Sequence, residues 1–230
     1  MSDRGSDLLA LIWTTFLLLA LPLQSIVARR LLVLRRPTRM LAYRSSVSGL
    51  LAMGLVTLLV DLLGPRTGWR AVTTGLSTPA LLEWTLGALA VCVAVSLGVL
   101  LLRKATGQPL DAKVVALLPR TRSEHLAFAG VSIVSGAIEE YVMRGFCLGL
   151  LSVALRSAAL AFVLVTLSFG LAHGYQGRVS MLRATALGAV LAGPVLATGA
   201  VAPSMIAHAA MNLLSGLWTC PLARRWRLVD

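Results

Sequence analysis

The stretch LAFAGVSIVSGAIEEYVMRGFCLGLLSV, residues 126–153, carries two adjacent glutamates and one arginine inside an apolar segment. A segment of ~20 apolar residues is long enough to cross a bilayer as a helix. A charge near the bilayer centre costs roughly 2.5 kcal/mol or more, so both carboxylates require partners. Arg144 follows Glu140 by four residues on the same helical face, which predicts an ion pair. Glu139 points about 100° away and must face a polar cavity, a proton or another helix.

The whole chain has the composition of a membrane protein. Of its 230 residues, 57% are hydrophobic and 13% are charged, and the mean hydropathy is +0.85. A soluble domain carries about 25% charged residues, so the composition excludes an ordinary soluble globule and also excludes disorder. We therefore predict an all-α fold, a polytopic membrane helical bundle with about seven transmembrane helices.

Apolar runs separated by polar or helix-breaking segments define the expected spans. Gly64-Pro65 ends the second run, and residues 103–125 form the longest polar loop. The first run is interpreted as a retained helix rather than a cleaved signal peptide, because residues 1–7 lack the positive charge of a signal sequence. The expected spans are 8–28, 45–63, 80–102, 126–153, 157–176, 181–200 and 201–219.

The chain is divided by where its candidate catalytic residues lie, because no linker separates domains. Residues 1–125 contain the N-terminal helices and a basic loop. Within them Asp61 is expected at the membrane interface and His125 in solvent. Residues 126–219 form the candidate catalytic core, and residues 220–230 form a basic tail. One integrated bundle is expected.

The net charge of +12 arises from 21 basic and nine acidic residues. We interpret it as basic cytoplasmic loops rather than nucleic-acid binding, because the sequence has no nucleic-acid motif. Loop 29–44 holds six arginines and loop 103–125 holds five lysines and arginines, whereas the alternate loops hold few. This asymmetry predicts an outside N-terminus and a cytoplasmic C-terminus. The preference for arginine over lysine, with the Ala, Gly, Val and Leu usage, indicates a GC-rich bacterial genome, so a bacterial cell membrane is the expected location.

Further polar residues lie in the later spans. His173 lies near the cytoplasmic end of the fifth expected span, and His208 and Asn212 share one face of the seventh. At ~1.5 Å rise per residue, all three reach the depth of Glu139 if the fourth helix begins near Ser132 or projects into the cytoplasm. A carboxylate with an imidazole can activate water, and a second imidazole with a carboxamide can hold an oxyanion.

These groups leave several functions open. A single intramembrane histidine most often forms a helix–helix hydrogen bond, and a glutamate beside a histidine also suits a proton relay. Several such groups on three helices disfavour a purely structural role. The sequence contains neither the HExxH motif of zincins nor a nucleophile elbow. The chemistry of the residues therefore does not decide between a hydrolase and a transporter.

Three short polar motifs follow one another on expected spans four, five and seven. They are EExxxR at Glu139, Glu140 and Arg144, FxxxH at Phe169 and His173, and HxxxN at His208 and Asn212. In this order they resemble the CPBP family of intramembrane endopeptidases, which includes CAAX prenyl proteases, bacteriocin-processing enzymes and Abi proteins. The likeness covers about residues 126–216.

The resemblance implies a role for each catalytic residue. Glu139 would be the base that activates water, assisted by His173. His208 and Asn212 would bind the oxyanion of the tetrahedral intermediate. The implied activity is hydrolysis of a peptide bond near the cytoplasmic face.

The resemblance also implies supporting residues and a cofactor state. Glu140 and Arg144 would hold the site together as a pair, and Phe169 would support it. The family is regarded as metal-independent, so no cofactor is expected. Zinc bound by Glu139, His173 and His208 is the minority alternative, since this set could coordinate the metal.

The expected partners are membrane lipid and a membrane-associated protein or peptide substrate, with no nucleic acid. Eukaryotic relatives cleave prenylated CAAX proteins, whereas some bacterial relatives act in bacteriocin immunity or peptide maturation. Two alternatives to a protease stay open. One is a non-catalytic peptide-binding or bacteriocin-immunity protein. The other is a small proton-coupled transporter, although the sequence lacks the inverted repeat typical of that class.

Overall fold

The structure is a computed structural model that describes residues 4–35 and 37–226, and within these ranges it is helical with no strand. The expected basic tail is therefore described only as far as residue 226; its last residues, 227–230, lie outside the described part, as do residues 1–3 and Arg36. In chain order the elements are α1 (Arg4–Arg35), α2 (Arg39–Leu63), α3 (Thr67–Thr73), α4 (Thr78–Thr106), α5 (Ala112–Leu117), α6 (Arg122–Glu140), a π-helix (Tyr141–Leu148), α7 (Gly149–Ala154), α8 (Ala158–Ala172), a 3-10 turn (Gly174–Gln176), α9 (Arg178–Thr198) and α10 (Ala202–Arg225).

Several of the described helices are long and apolar enough to cross a membrane, as a multi-pass integral membrane protein requires. The seven-span prediction is confirmed for five of its segments. The fifth expected span, which forms α8, is apolar but has 15 residues, fewer than the ~20 needed to span the hydrocarbon core. The seventh, α10, carries His208 and Asn212 and is not among the five. The five segments are Gly5–Leu31, Arg39–Leu63, Thr78–Thr106, Arg122–Ala154 and Arg178–Thr198.

The fourth expected span begins earlier than Ser132, because α6 starts at Arg122. A capping box fixes this start. The Thr121 hydroxyl accepts from the Glu124 backbone N–H at 3.2 Å, and the Glu124 carboxylate accepts from the Thr121 N–H at 3.2 Å. Each bond satisfies a backbone donor that the first turn leaves without a helical partner. The expectation of a helix that begins near Ser132 is therefore wrong, whereas the other expectation, a helix that projects into the cytoplasm, stays a prediction.

The segment that follows the glutamates forms the centre of the bundle. All eight residues of the π-helix Tyr141–Leu148 are buried. Helix α3 packs on one side of it and α8 on another, while α6 packs against α2 and α10. Helix α10 also packs against α4, and α8 against α1 and α9. This arrangement places the end of α6 and the π-helix next to α8 and α10, the helices that carry the FxxxH and HxxxN motifs.

The contact between α6 and α10 depends on a glycine. A Cβ atom placed on Gly136 would lie 2.6 Å from the backbone nitrogen of Ala209 and 2.8 Å from its Cα. Cβ atoms in folded proteins essentially never approach other atoms this closely, so only glycine permits this approach. Because Ala209 follows His208, the close approach brings that histidine against the last turn of α6.

Candidate active site

Glu140 joins two helices through one carboxylate oxygen. Its side chain is fully buried. The Glu140 Oε1 atom accepts a hydrogen bond from Arg144 Nη1 at 3.0 Å and another from His208 Nδ1 at 2.7 Å. The pairing of Glu140 with Arg144 was predicted from their spacing and is present. The bond to His208 connects this pair to α10.

Arg144 is buried, with 1% of its surface exposed, and its guanidinium contacts three different residues. Beyond Glu140, its Nη2 donates to the Gly188 carbonyl of α9 at 3.0 Å. The guanidinium carbon lies 4.1 Å from the ring centroid of Phe169 in α8, a cation–π distance. A Cβ on Gly188 would lie 2.7 Å from Arg144 Nη2, so the small residue makes room for the arginine.

Glu139 faces away from this pair, as its helical phase predicts. Its side chain is 20% exposed, and its Oε2 atom lies 4.0 Å from His208 Nε2. His208 therefore stands between the two glutamates, with Nδ1 towards Glu140 and Nε2 towards Glu139. A separation of 4.0 Å is too long for a direct hydrogen bond but short enough for one small molecule to bridge both groups.

His173 lies at the end of α8 against Phe169. Its Nδ1 is 2.8 Å from the Phe169 carbonyl oxygen, and the two rings are 4.6 Å apart. A carbonyl only accepts, so Nδ1 carries the hydrogen and Nε2 of the neutral ring is an acceptor. The Phe169 ring also meets the His208 ring edge to face at 6.2 Å. One aromatic side chain thus separates and orients the two imidazoles, and both interact electrostatically with Glu139.

Asn212 lies one turn beyond His208 and contacts a different part of α6. Its Nδ2 donates to Ser135 Oγ at 2.9 Å, and Ser135 Oγ donates to the Ser132 carbonyl at 3.2 Å. The structure thus links Asn212 to the turn of α6 that precedes Glu139. Ser135 was not predicted, because a serine in an apolar helix is indistinguishable in sequence from one that bonds its own backbone.

The convergence of the three motifs agrees with a comparison of the chain with known families. Residues 121–214 match the profile of the family described as Type II CAAX prenyl endopeptidase Rce1-like. This segment is an Rce1-like domain of the CPBP/Abi family. It runs from the start of α6 into α10 and contains every predicted site residue, close to the expected 126–216. No curated protein and no solved structure matches the chain.

The family that this segment matches is one of CAAX prenyl endopeptidases, so the match implies peptide hydrolase activity and suggests an intramembrane protease that acts on a protein or peptide. The zinc alternative requires Glu139, His173 and His208 to form a ligand set. In residues 4–35 and 37–226, no three His, Cys, Asp or Glu side chains are grouped to hold a metal ion.

A residue outside the Rce1-like domain contacts the residue that follows the glutamate pair. Asp61 was expected at the membrane interface, but it is fully buried. It accepts a hydrogen bond from the Tyr141 hydroxyl at 3.0 Å, and Tyr141 directly follows the glutamate pair. The sequence signal for this link was a single acidic residue in an apolar run, which does not reveal its partner. His125, in contrast, is exposed as expected.

Proposed function

We propose that the chain is an intramembrane glutamate endopeptidase that hydrolyses a peptide bond of a membrane-associated protein or peptide near the cytoplasmic face. One observation carries the proposal: Glu139 Oε2 lies 4.0 Å from His208 Nε2, while His208 Nδ1 is held by Glu140 at 2.7 Å. A partly exposed carboxylate and an oriented imidazole therefore face one small space. This is the geometry that water activation requires.

In the first step, Glu139 removes a proton from water as the water oxygen attacks the scissile carbonyl carbon. The carbonyl double bond opens and its oxygen becomes the oxyanion. His173 assists Glu139, because its Nδ1 donates to the Phe169 carbonyl and its Nε2 can accept a hydrogen bond. Protonated Glu139 then returns its proton to the leaving amine, the C–N bond breaks, and a carboxylic acid and an amine are released.

His208 and Asn212 are proposed to stabilise the oxyanion. Doubly protonated His208 donates from Nδ1 to Glu140 and can donate from Nε2 to the substrate oxygen. Charge balance supports this state, because the carboxylates of Glu139 and Glu140 are then matched by Arg144 and His208. A buried cluster without net charge avoids the desolvation cost of an isolated ion. Asn212 has a second amide hydrogen besides the one bonded to Ser135 Oγ.

The test compares protein termini in membranes from cells that express the wild-type chain or the Glu139→Gln variant at matched abundance. The substitution keeps the shape of the side chain and removes the base. Terminal-peptide mass spectrometry is expected to show new termini that are present with the wild type and absent with Glu139→Gln. Glu83→Gln, at an exposed glutamate in α4, is the matched control and is expected to retain cleavage.

The alternatives predict other outcomes of the same experiment. If cells with Glu139→Gln show the same protein termini as cells with the wild type, the glutamate mechanism is refuted and the peptide-binding or bacteriocin-immunity role is favoured. Uptake into proteoliposomes that depends on a proton gradient and is lost in Glu139→Gln would favour the transporter.

A further inference from the structure

A buried carboxylate on α2 is bonded to the residue that follows the glutamate pair. Asp61 is fully buried. Its Oδ2 atom accepts from the Tyr141 hydroxyl at 3.0 Å and from the Trp69 backbone N–H at 2.7 Å, and its Oδ1 accepts from the Gly68 N–H at 3.2 Å. Asp61 therefore connects α2, the first turn of α3 and the π-helix at one point.

Helix α3 is held close to the π-helix around this carboxylate. A Cβ on Gly68 would lie 2.9 Å from the Tyr141 ring and 3.1 Å from Asp61 Oδ2, so no larger residue fits without displacement. Thr67 Oγ1 donates to the Phe146 carbonyl of the π-helix at 3.3 Å. The α2–α3 corner is thus bonded to the π-helix at its first residue and again near its end.

The position of Tyr141 makes this bond relevant to the site. It is the residue at which α6 changes into the π-helix. A π-helix has more residues per turn than an α-helix, so the residue at which the change occurs sets the rotation of the side chains on both sides. Glu139 and Glu140 immediately precede the change, and Arg144 lies within the π-helix. A bond that fixes Tyr141 therefore fixes the directions of all three.

We propose that Asp61 and Tyr141 form a positioning pair that aims Glu139 at His208, so that the α2–α3 corner completes a site whose chemical residues all belong to the Rce1-like domain. The inference rests on the proposed function for its catalytic consequence. Neither residue touches the reacting atoms. Their effect is expected in the rate of the chemical step rather than in substrate binding.

The decisive variant is Tyr141→Phe, which removes the hydroxyl and leaves Asp61 bonded to α3. Tyr43→Phe is a closely matched control, because Tyr43 is 6% exposed against 7% for Tyr141 and its hydroxyl donates to the Leu117 carbonyl at 2.6 Å. We expect Tyr141→Phe to lower kcat about tenfold with KM unchanged, less than the ~100-fold that a 1 Å misplacement can cost. Tyr43→Phe is expected to keep the wild-type kcat.

Asp61 bonds both to the Tyr141 hydroxyl and to backbone N–H groups of α3, and a double-mutant cycle separates these two roles. If Asp61 acts on catalysis through Tyr141, Asp61→Asn combined with Tyr141→Phe lowers kcat no further than the worse single variant. Additive losses would show that Asp61 acts independently of Tyr141 and would overturn the proposal. A loss of kcat in Tyr43→Phe as large as in Tyr141→Phe would also overturn it, because any buried tyrosine bond would then have the same effect.

A second readout does not depend on proteolysis. A water-soluble carbodiimide with an amine labels accessible carboxylates of the detergent-solubilised full chain, and mass spectrometry measures labelling at Glu139 relative to Glu124. We expect Tyr141→Phe to change this ratio at least twofold and Tyr43→Phe to leave it unchanged. An unchanged ratio in Tyr141→Phe would refute the positioning role whether or not the wild type cleaves peptides. Cleavage by Glu139→Gln would instead refute the proposed function. The labelling ratio would then still decide whether Asp61 and Tyr141 position Glu139.

Discussion

Glu140 and His208, which lie 68 positions apart in the chain, are joined by a 2.7 Å bond between Oε1 and Nδ1. The same oxygen atom pairs with Arg144 at 3.0 Å. One carboxylate oxygen therefore holds the π-helix to α6 and α6 to α10. The bond also presents the opposite nitrogen of the imidazole to Glu139. Glu140 therefore contributes both to the packing of these helices and to the orientation of His208.

Loss of Arg144 is expected to destabilise the protein more than loss of Glu139. Arg144→Ala leaves the buried Glu140 carboxylate without its guanidinium partner and with His208 alone beside it, and losing one partner of a buried ion pair costs about 3–5 kcal/mol. Glu139 is partly exposed, and its nearest ion-pair partner is 4.0 Å away. Thermal unfolding in detergent and abundance in membranes measure the difference. Equal stability of Arg144→Ala and Glu139→Ala would contradict this division between supporting and chemical residues.

Replacing both members of the buried pair is expected to restore much of that stability. Glu140→Gln combined with Arg144→Met removes both charges and keeps the volume, so no isolated ion remains. The double variant should unfold at a higher temperature than Arg144→Ala and still show no cleavage, because His208 loses its charged anchor. A double variant that is less stable than Arg144→Ala would show that packing rather than charge dominates here.

Adding one methyl group at Gly136 is expected to disrupt the site. Gly136→Ala drives a Cβ into the Ala209 backbone, and overpacking of this kind costs about 1–3 kcal/mol. The resulting shift of α10 should lower kcat. Gly130→Ala is the matched control on the same helix, because a Cβ at Gly130 has no neighbour within 4 Å. It should be at least as stable as the wild type, since alanine favours helix. A Gly136→Ala variant as stable and as active as Gly130→Ala would contradict a role for the α6–α10 contact.

His173→Ala is expected to lower kcat about 10²-fold, the lower range for loss of acid–base assistance. His125→Ala is the control for loss of a hydrogen bond from a histidine to the carbonyl four residues before it. His125 Nδ1 contacts the Thr121 carbonyl at 2.8 Å, and His173 Nδ1 contacts the Phe169 carbonyl at the same distance. The measurement is initial cleavage rate at saturating substrate. A wild-type rate in His173→Ala would leave His208 as the histidine that serves Glu139.

Asn212→Ala is expected to leave residual activity, since loss of one oxyanion donor costs ~10²–10³ in rate. Ser135→Ala should cause a smaller loss, because it removes only the acceptor that orients Asn212. Both losses should appear in kcat rather than in KM. A greater loss in Ser135→Ala than in Asn212→Ala would indicate that the serine itself contacts the substrate.

Regularities within one helix could be predicted from the sequence. The four-residue spacing of Glu140 and Arg144 determined their pairing, and the 100° step determined that Glu139 faces elsewhere. The apolar runs located the long helices, although the capping box at Thr121 starts α6 at Arg122, before residue 126 where its apolar run begins. Local periodicity and capping depend on neighbouring residues, so they can be read without knowledge of the fold.

Relationships between helices were decided by tertiary packing. The sequence placed His173 and His208 in the site but did not determine that His208 stands between the two glutamates, nor that Asn212 is bonded to Ser135. It gave no sign that Asp61 reaches Tyr141, or that the helix changes its winding at that residue. These contacts depend on how closely and at what rotation two helices approach, which the backbone contact of Gly136 with Ala209 sets for α6 and α10. Such distances result from the fit of whole surfaces, and no spacing along the chain encodes them.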